Sequence, residues 1–338
     1  MQKRVLLQLE HADTSLPRRR RTGTLALWLT TVLLVIARPS AWAADRSVAE
    51  RALLDGRVDE AVRLLGSVPA QDGPGQILLC RTYYAEELAD QAVQACDTAL
   101  QTLRNDSNAQ LWSGRAYGLK ARTAGPFAAM KLARRVKTAF EAAFQLDPRN
   151  AAAANDLGEF YVGAPAIVGG GVDLASDLAD KVMGSMPEAG HRIKAMIAEK
   201  QKDWPAAERE FRLATAVANR PEAWVDLGAY FFRRSDGKQA VSTLEHAVAL
   251  DPRHGPPSVD AATLLQENNW GLERPERWLR QYLDGSAKSD DAPTFRVHTK
   301  LAQMLKKDGD LAGAKIEINK ALALASNYVP ATKALQGL

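Results

Sequence analysis

The sequence predicts an all-α protein, a solenoid of stacked antiparallel helical hairpins, and three observations carry that expectation. Residues 221–252, PEAWVDLGAYFFRRSDGKQAVSTLEHAVALDP, read as two short helices split by a turn and ended by a proline. A landmark in the second helix recurs from Ala61 through Ala92, Val136, Ala175 and Ala207 to Ala240, at intervals of 31, 44, 39, 32 and 33 residues. Such a period marks a repeat array. Four units also join a small residue to an aromatic at helical spacing, namely Gly114 with Tyr117, Gly158 with Tyr161, Ala207 with Phe211 and Gly228 with Phe231. An irregular bundle with accidental alanines would not repeat that combination.

Taken in chain order, the first segment stands apart from the fold. Residues 18–21 are four arginines, residues 24–37 (TLALWLTTVLLVIA) carry no charge, and Ala41-Trp42-Ala43 places small residues where a signal peptidase inspects them. A basic start, a short apolar core and A-x-A make residues 1–43 a cleaved secretory signal peptide, with the cut after Ala43. The apolar run is shorter than the roughly 20 residues that span a bilayer, so no stable membrane span is expected after cleavage. The alternative is an uncleaved, slightly short anchor. No cysteine stands at the cut, which argues against a lipoprotein. Thr22, Gly23 and Thr24 lack the apolar follow-on of a twin-arginine signal, so the general secretory route is expected. The expected location is the periplasm or the exterior.

Residues 44–338 then form about eight units. Ala61 and Leu65 mark the first, and Tyr83, Ala92, Cys96 and Ala99 the second. Gly114, Tyr117, Phe140 and Ala143 mark the third; Leu157, Gly158, Tyr161, Ala175 and Val182 mark the fourth. The fifth holds Ala207, Phe211 and Ala214, and the sixth is the clean unit at 221–252. A degenerate unit near 257–285 precedes the last, with Ala302, Ala314, Ile318 and Ala321, and residues 330–338 read as a closing, capping helix. In the clean unit Gly228, Ala240 and Ala247 are small enough for two helices to approach closely. Trp224, Leu227, Phe231 and Leu244 fill the space around them. Pro252 cannot continue a helix and so separates one hairpin from the next.

This arrangement of large, small and aromatic residues resembles the tetratricopeptide repeat, clearly in residues 221–252 and more weakly along the rest of residues 44–338. The resemblance implies a right-handed superhelix whose first helices line a concave groove that binds a peptide or partner protein. By register Arg115, Asn155, Glu159, Arg192, Phe232 and Arg233 would face that groove. One branch of the family captures terminal carboxylates, but its full residue set is absent here. By the family pattern Cys80 and Cys96 take the places of Gly228 and Leu244, where the two helices pack face to face. In an oxidising compartment that placement suits a disulfide; the alternative is two small buried fillers.

Two insertions interrupt the pattern. Phe231 and Ala240 are nine residues apart, whereas Tyr117 to Val136 is 19 and Tyr161 to Ala175 is 14. The extra residues fall near 120–135 and 163–171, at turns of adjacent units that lie side by side in a solenoid. The first is basic, with Lys120, Arg122, Lys131, Arg134, Arg135 and Lys137 around Phe127 and Met130. The second, with Pro165, Ile167, Gly169, Gly170 and Gly171, is apolar and uncharged. Two readings stand: a partner-docking edge, or tolerated extensions that pack down. Gly171 is followed by Val172 and Asp173, so the glycines are no phosphate loop.

Charge and motifs narrow the function further. The whole chain carries 44 Lys+Arg against 40 Asp+Glu. Seven of those bases and two of the acids lie in residues 1–43, leaving 37 bases against 38 acids, a net of −1. Nucleic-acid binding rests on dense positive charge, and none is expected. No histidine is paired at metal-ligand spacing and no nucleophile motif occurs, so neither catalysis nor a cofactor nor a metal is expected. The expectation is an extracytoplasmic protein–protein scaffold or adaptor. The alternative is an accessory subunit of an envelope transport or assembly system that binds a small ligand or lipid. A glycan-processing enzyme is disfavoured for want of suitably placed carboxylates.

Overall fold

The structure, a computed structural model, describes residues 41–271 and 273–338, with side chains from Asp45 onward. Residues 1–40, most of the expected signal peptide, lie outside the described residues. The described chain is helical throughout. Its first four hairpins are α1 (Ala41–Leu54) with α2 (Val58–Leu65), α3 (Gly73–Ala85) with α4 (Ala89–Ala99), α5 (Ser107–Ala121) with α6 (Pro126–Leu146), and α7 (Ala151–Gly163) with α8 (Val172–Met183). The next four are α9 (Pro187–Lys200) with α10 (Trp204–Ala218), α11 (Pro221–Arg233) with α12 (Gly237–Ala249), α13 (Pro256–Glu267) with α14 (Glu273–Asp284), and α15 (Thr294–Lys307) with α16 (Leu311–Leu324). The last helix, α17 (Val329–Gln336), covers the final hairpin. Among the described residues no helix is long and apolar enough to cross a membrane.

Short helices of this kind are marginal alone and are held by what they bury. Their starts are written locally. Asp72, Asp106, Asn150, Asp203, Asp236 and Asp310 each accept a backbone N–H from the first turn of the helix they precede, the usual satisfaction of orphan N-terminal donors. Proline opens α6, α9, α11 and α13 within the first two positions, where its missing N–H costs nothing. Small residues then set the packing distance. A Cβ on Gly228 would lie 2.6 Å from Leu244 Cδ2, one on Gly114 2.4 Å from Phe140 Cε1, and one on Gly158 2.6 Å from Ile193 Cγ1. The first two are contacts within a hairpin, and the third joins one hairpin to the next. Cys80 and Cys96 are fully buried and bonded to each other, tying α3 to α4.

The two insertions take different forms. Sequence reading places the first in a turn, but most of its residues extend α6, which is 21 residues long. Ala, Met, Lys, Leu and Arg dominate residues 128–135, and all are good helix formers. The second insertion folds into one 3-10 turn, Ala166–Val168, left through Gly169 at φ +94°. It packs partly down: Val168 is buried, and the Gly171 N–H donates to the Tyr161 carbonyl at 2.8 Å.

The array does not stay open. Its first and last hairpins meet, and one apolar core runs from Leu53, Val58 and Leu65 to Phe295, Ile318 and Tyr328. Thr294 Oγ1 donates to the Asp55 carbonyl at 2.9 Å. The Arg296 guanidinium donates to the carbonyls of Ala85 and Tyr84 at 2.6 to 3.1 Å. Gly56, at φ +76°, is required by the seam itself, since a Cβ there would stand 2.7 Å from Thr294 Cβ and N. The expected superhelix thus closes on itself, its first hairpin meeting its last. The physical reason is that each hairpin turns the array by a fixed amount, and eight of them suffice to bring the ends into contact.

A candidate binding surface inside the ring

One side of the ring is built by the first helices of the hairpins, and their charged residues form a ladder across it. Arg115 on α5 donates from Nε to Asp156 Oδ2 on α7 at 2.7 Å. Arg192 on α9 bridges Glu159 on α7 at 2.5 Å and Asp226 on α11 at 2.7 Å. Arg233 on α11 reaches Glu199 on α9 at 2.8 Å. At the near end Arg81 on α3 pairs with Asp290 at 2.9 Å, a contact made by the segment 285–293 as it crosses from the opposite side of the seam. The indole of Trp112 lies between two cations, with the Arg115 guanidinium 4.8 Å and that of Arg81 5.5 Å from its ring centre.

Burial shapes the electrostatics. Asp156 and Asp226 are held above the ordinary carboxylate range, because desolvation outweighs the arginines beside them. Arg192 is raised although burial opposes its charge, since Asp226 and Glu159 both favour the cation. Asp260 on α13 has no arginine partner. Its side chain is wetted, yet the surrounding concave wall desolvates it, and Asp291 faces it with like charge. Together these push its carboxyl up to about 6, against the weaker pull of Lys300.

Two hollows open onto the ladder. One, of about 560 Å³, is lined by Trp112, Arg115, Asp156, Glu159, Asp290 and Arg296. The other, of about 600 Å³, is lined by Asn155, Arg192, Arg220, Glu222, Asp226 and Asp260. In the second, Asn155 Oδ1 and Arg192 Nη1 are buried and without a hydrogen-bond partner. One is an acceptor and the other a donor, the pair of functions a peptide bond presents in reverse. Among the described residues no group of three or more His, Cys, Asp or Glu is placed to hold a metal ion. His191 pairs with Glu210 at 2.8 Å and His298 with Glu317 at 2.6 Å, each within its own hairpin.

Of the groove residues expected from sequence, Arg115, Asn155, Glu159 and Arg192 come together on this wall. Phe232 does not join them: it packs partly buried between two apolar clusters, 6.3 Å from Trp270. Arg233 serves the ladder through Glu199 but lines neither hollow. Pro165, Ile167 and Gly169–Gly171 line neither of these two hollows.

Sequence reasoning missed Arg81, Trp112, Asp156, Asp226, Asp260, Asp290 and Arg296. A signal for some of them exists. Arg81 and Arg115 are 34 residues apart, as are Asp226 and Asp260, one repeat period in each case. Asp156 and Asp226 each stand two places before a landmark glycine. Nothing periodic marks Asp290 or Arg296.

Helix order, hairpin packing and small-residue contacts define the protein as an α-solenoid of paired helices. No family model matches the chain, and no curated protein matches it. Solved structures of tetratricopeptide-repeat and related proteins are similar to it. A thermophilic TPR protein of Thermus thermophilus is 16% identical over 67% of this chain and 100% of its own, with a TM-score of 0.45. Yeast Tom70 is 16% identical over 83% of this chain and 58% of its own, with a TM-score of 0.49. A tetratricopeptide repeat protein from Parabacteroides merdae is 10% identical over 87% of this chain and 97% of its own, with a TM-score of 0.46.

Proposed function

We propose that the protein is an extracytoplasmic scaffold that holds an extended polypeptide segment of a partner protein against the inner wall of the ring. The observation that carries this reading is the pair of unpartnered groups in the second hollow, Asn155 Oδ1 and Arg192 Nη1. Buried polar atoms left unpaired cost roughly 1–3 kcal/mol each, and a main-chain N–H and C=O would satisfy both. The alternating charges of the ladder give such a segment direction and register without a catalytic group. A basic start, a short apolar run and A-x-A support export with cleavage after Ala43. The Cys80–Cys96 bond supports an oxidising destination, and among the residues whose side chains are described, from Asp45 onward, the first fully buried one is Ala49. A small ligand is the second reading, favoured by hollows of 560 and 600 Å³, within the range of small-molecule sites.

The test is a photo-crosslinking amino acid placed at Asn155 and, as a control, at Arg209 on the outer helix α10, in cells that export the chain. The expected result is a polypeptide adduct from position 155 alone, weakened when Arg192→Ala is added. Equal labelling from both positions, or adducts from neither, defeats the reading. Intact mass of the recovered chain reports the cut, and fractionation reports its compartment.

A further inference from the structure

The two insertions of the array lie against each other. In the clean hairpin α12 begins three residues before Ala240; in its enlarged counterpart α6 begins ten residues before Val136. Seven extra residues at 1.5 Å each carry the hairpin tip about 10 Å farther out. At that tip Phe127 is 90% exposed, beside exposed Gly125, Pro126 and Ala128. Two turns down the same helix face, Arg134 Nη2 donates to the Ile167 carbonyl at 3.4 Å, and the aliphatic stem of Lys137 lies against Gly169. The 3-10 turn of the second insertion is thereby fastened to α6. Ile167 is 67% exposed on its outer side, next to exposed Pro165 and Ala166.

The first insertion itself carries charge of one sign. Residues 107–140 contain no Asp or Glu and seven bases: Arg115, Lys120, Arg122, Lys131, Arg134, Arg135 and Lys137. Lys120 and Lys137 are paired with Asp90 and Glu141, whereas Lys131 and Arg134 are exposed and bound to no carboxylate. Phe127 and Ile167 both project into solvent. A protein partner usually anchors large apolar side chains in desolvated pockets. A protruding apolar wedge with an unpaired basic collar complements a surface that yields to the wedge and carries negative charge. A bilayer with anionic headgroups has both properties.

We propose that this tip docks the ring onto an anionic phospholipid surface, with Phe127 and Ile167 entering the boundary between headgroups and acyl chains and with Lys131 and Arg134 pairing with lipid phosphates. None of these four residues lines either inner hollow, so the docking does not rest on the scaffold reading. The test is co-sedimentation with vesicles of phosphatidylglycerol and phosphatidylcholine in equal parts, beside vesicles of phosphatidylcholine alone. Wild type and variants are purified as the producing cell leaves them, so that the N-terminal segment contributes equally to each. Wild type is expected to bind the anionic vesicles and to lose binding as salt is raised. The double variant Phe127→Ser, Ile167→Ser is expected to bind at least about tenfold more weakly. The double variant Lys131→Glu, Arg134→Glu is expected to bind about tenfold more weakly, with a flattened salt dependence. Circular dichroism and thermal melting identify any variant that fails to fold; for Phe127 and Ile167 both should match wild type, because these side chains pack against little. The proposal is overturned if wild type binds neither vesicle, if it binds both alike, or if the folded serine variant binds as wild type does. Protection of the tip by a protein while vesicles leave it bare also overturns it.

Discussion

The seam that closes the ring contains a buried acid, and its titration should appear in the stability of the whole protein. Glu86 caps the C-terminal end of α3 and is 2% exposed, with Oε1 lacking any hydrogen-bond partner. Burial, first, and the negative charge of Asp59 on α2, second, push its carboxyl up to about 7 from an ordinary 4.5; the backbone N–H of Asn327, across the seam, pulls the other way. A helix C-terminus is also a poor place for an anion. The native state therefore keeps a proton that the unfolded chain gives up over the range between about 4.5 and about 7. Glu86 supports folding fully below the ordinary carboxylate value, and that support is lost as pH rises through about 7. A shift of this size corresponds to about 3 kcal/mol once ionisation is complete. Glu86→Gln keeps the size and removes the charge. Urea unfolding should find the variant about as stable as wild type near about pH 5 and about 2–3 kcal/mol more stable near about pH 8. His298 and Asp260 titrate in both proteins and cancel in the difference. A difference between wild type and variant that stays constant across that range would refute the reasoning.

Two further perturbations address the frame. Replacing Cys80 and Cys96 together by serine removes a cross-link spanning 16 residues, which should lower the unfolding free energy by about 3 kcal/mol on the loop-entropy account; an unchanged urea midpoint would contradict it. Arg296→Ala strips three donated hydrogen bonds from the last carbonyls of α3. It should cost about 2–3 kcal/mol and enlarge the radius of gyration in solution scattering as the seam opens, whereas an unaltered radius would show that the apolar core alone holds the ends together.

Local chemistry explains why the hairpins were legible and the ring was not. Gly228 against Leu244 and Gly114 against Phe140 are contacts within one hairpin, so their spacing repeats along the chain and can be read from any good copy. Cys80 and Cys96 were placed by the same register. The fate of the first insertion was less clear, because a longer interval between landmarks does not say whether the added residues coil or continue the helix. Their composition does say it: from Pro126 to Arg135 the only residue that resists a helix interior is the proline, and it sits at the first position, where it is tolerated. Closure is a different kind of information. Gly56 and Thr294 touch across 238 residues of chain, and Arg81 finds Asp290 across 209. These pairs depend on the small rotation added by every intervening hairpin, including the enlarged third and the degenerate seventh. No local pattern encodes a sum of rotations. What the chain does carry is its consequence, in residues whose partners lie across the seam: Gly56, where a Cβ would meet Thr294, and Arg296, whose guanidinium donates to the Ala85 and Tyr84 carbonyls. The closed form also decides what the inner wall can be. In an open superhelix Arg115, Asp156, Arg192 and Asp226 would bound a groove accessible along its whole length, whereas here Asp290 and Asp291 already stand at one end of it. A segment bound there must enter beside this chain's own acids, so the wall selects by position as well as by charge.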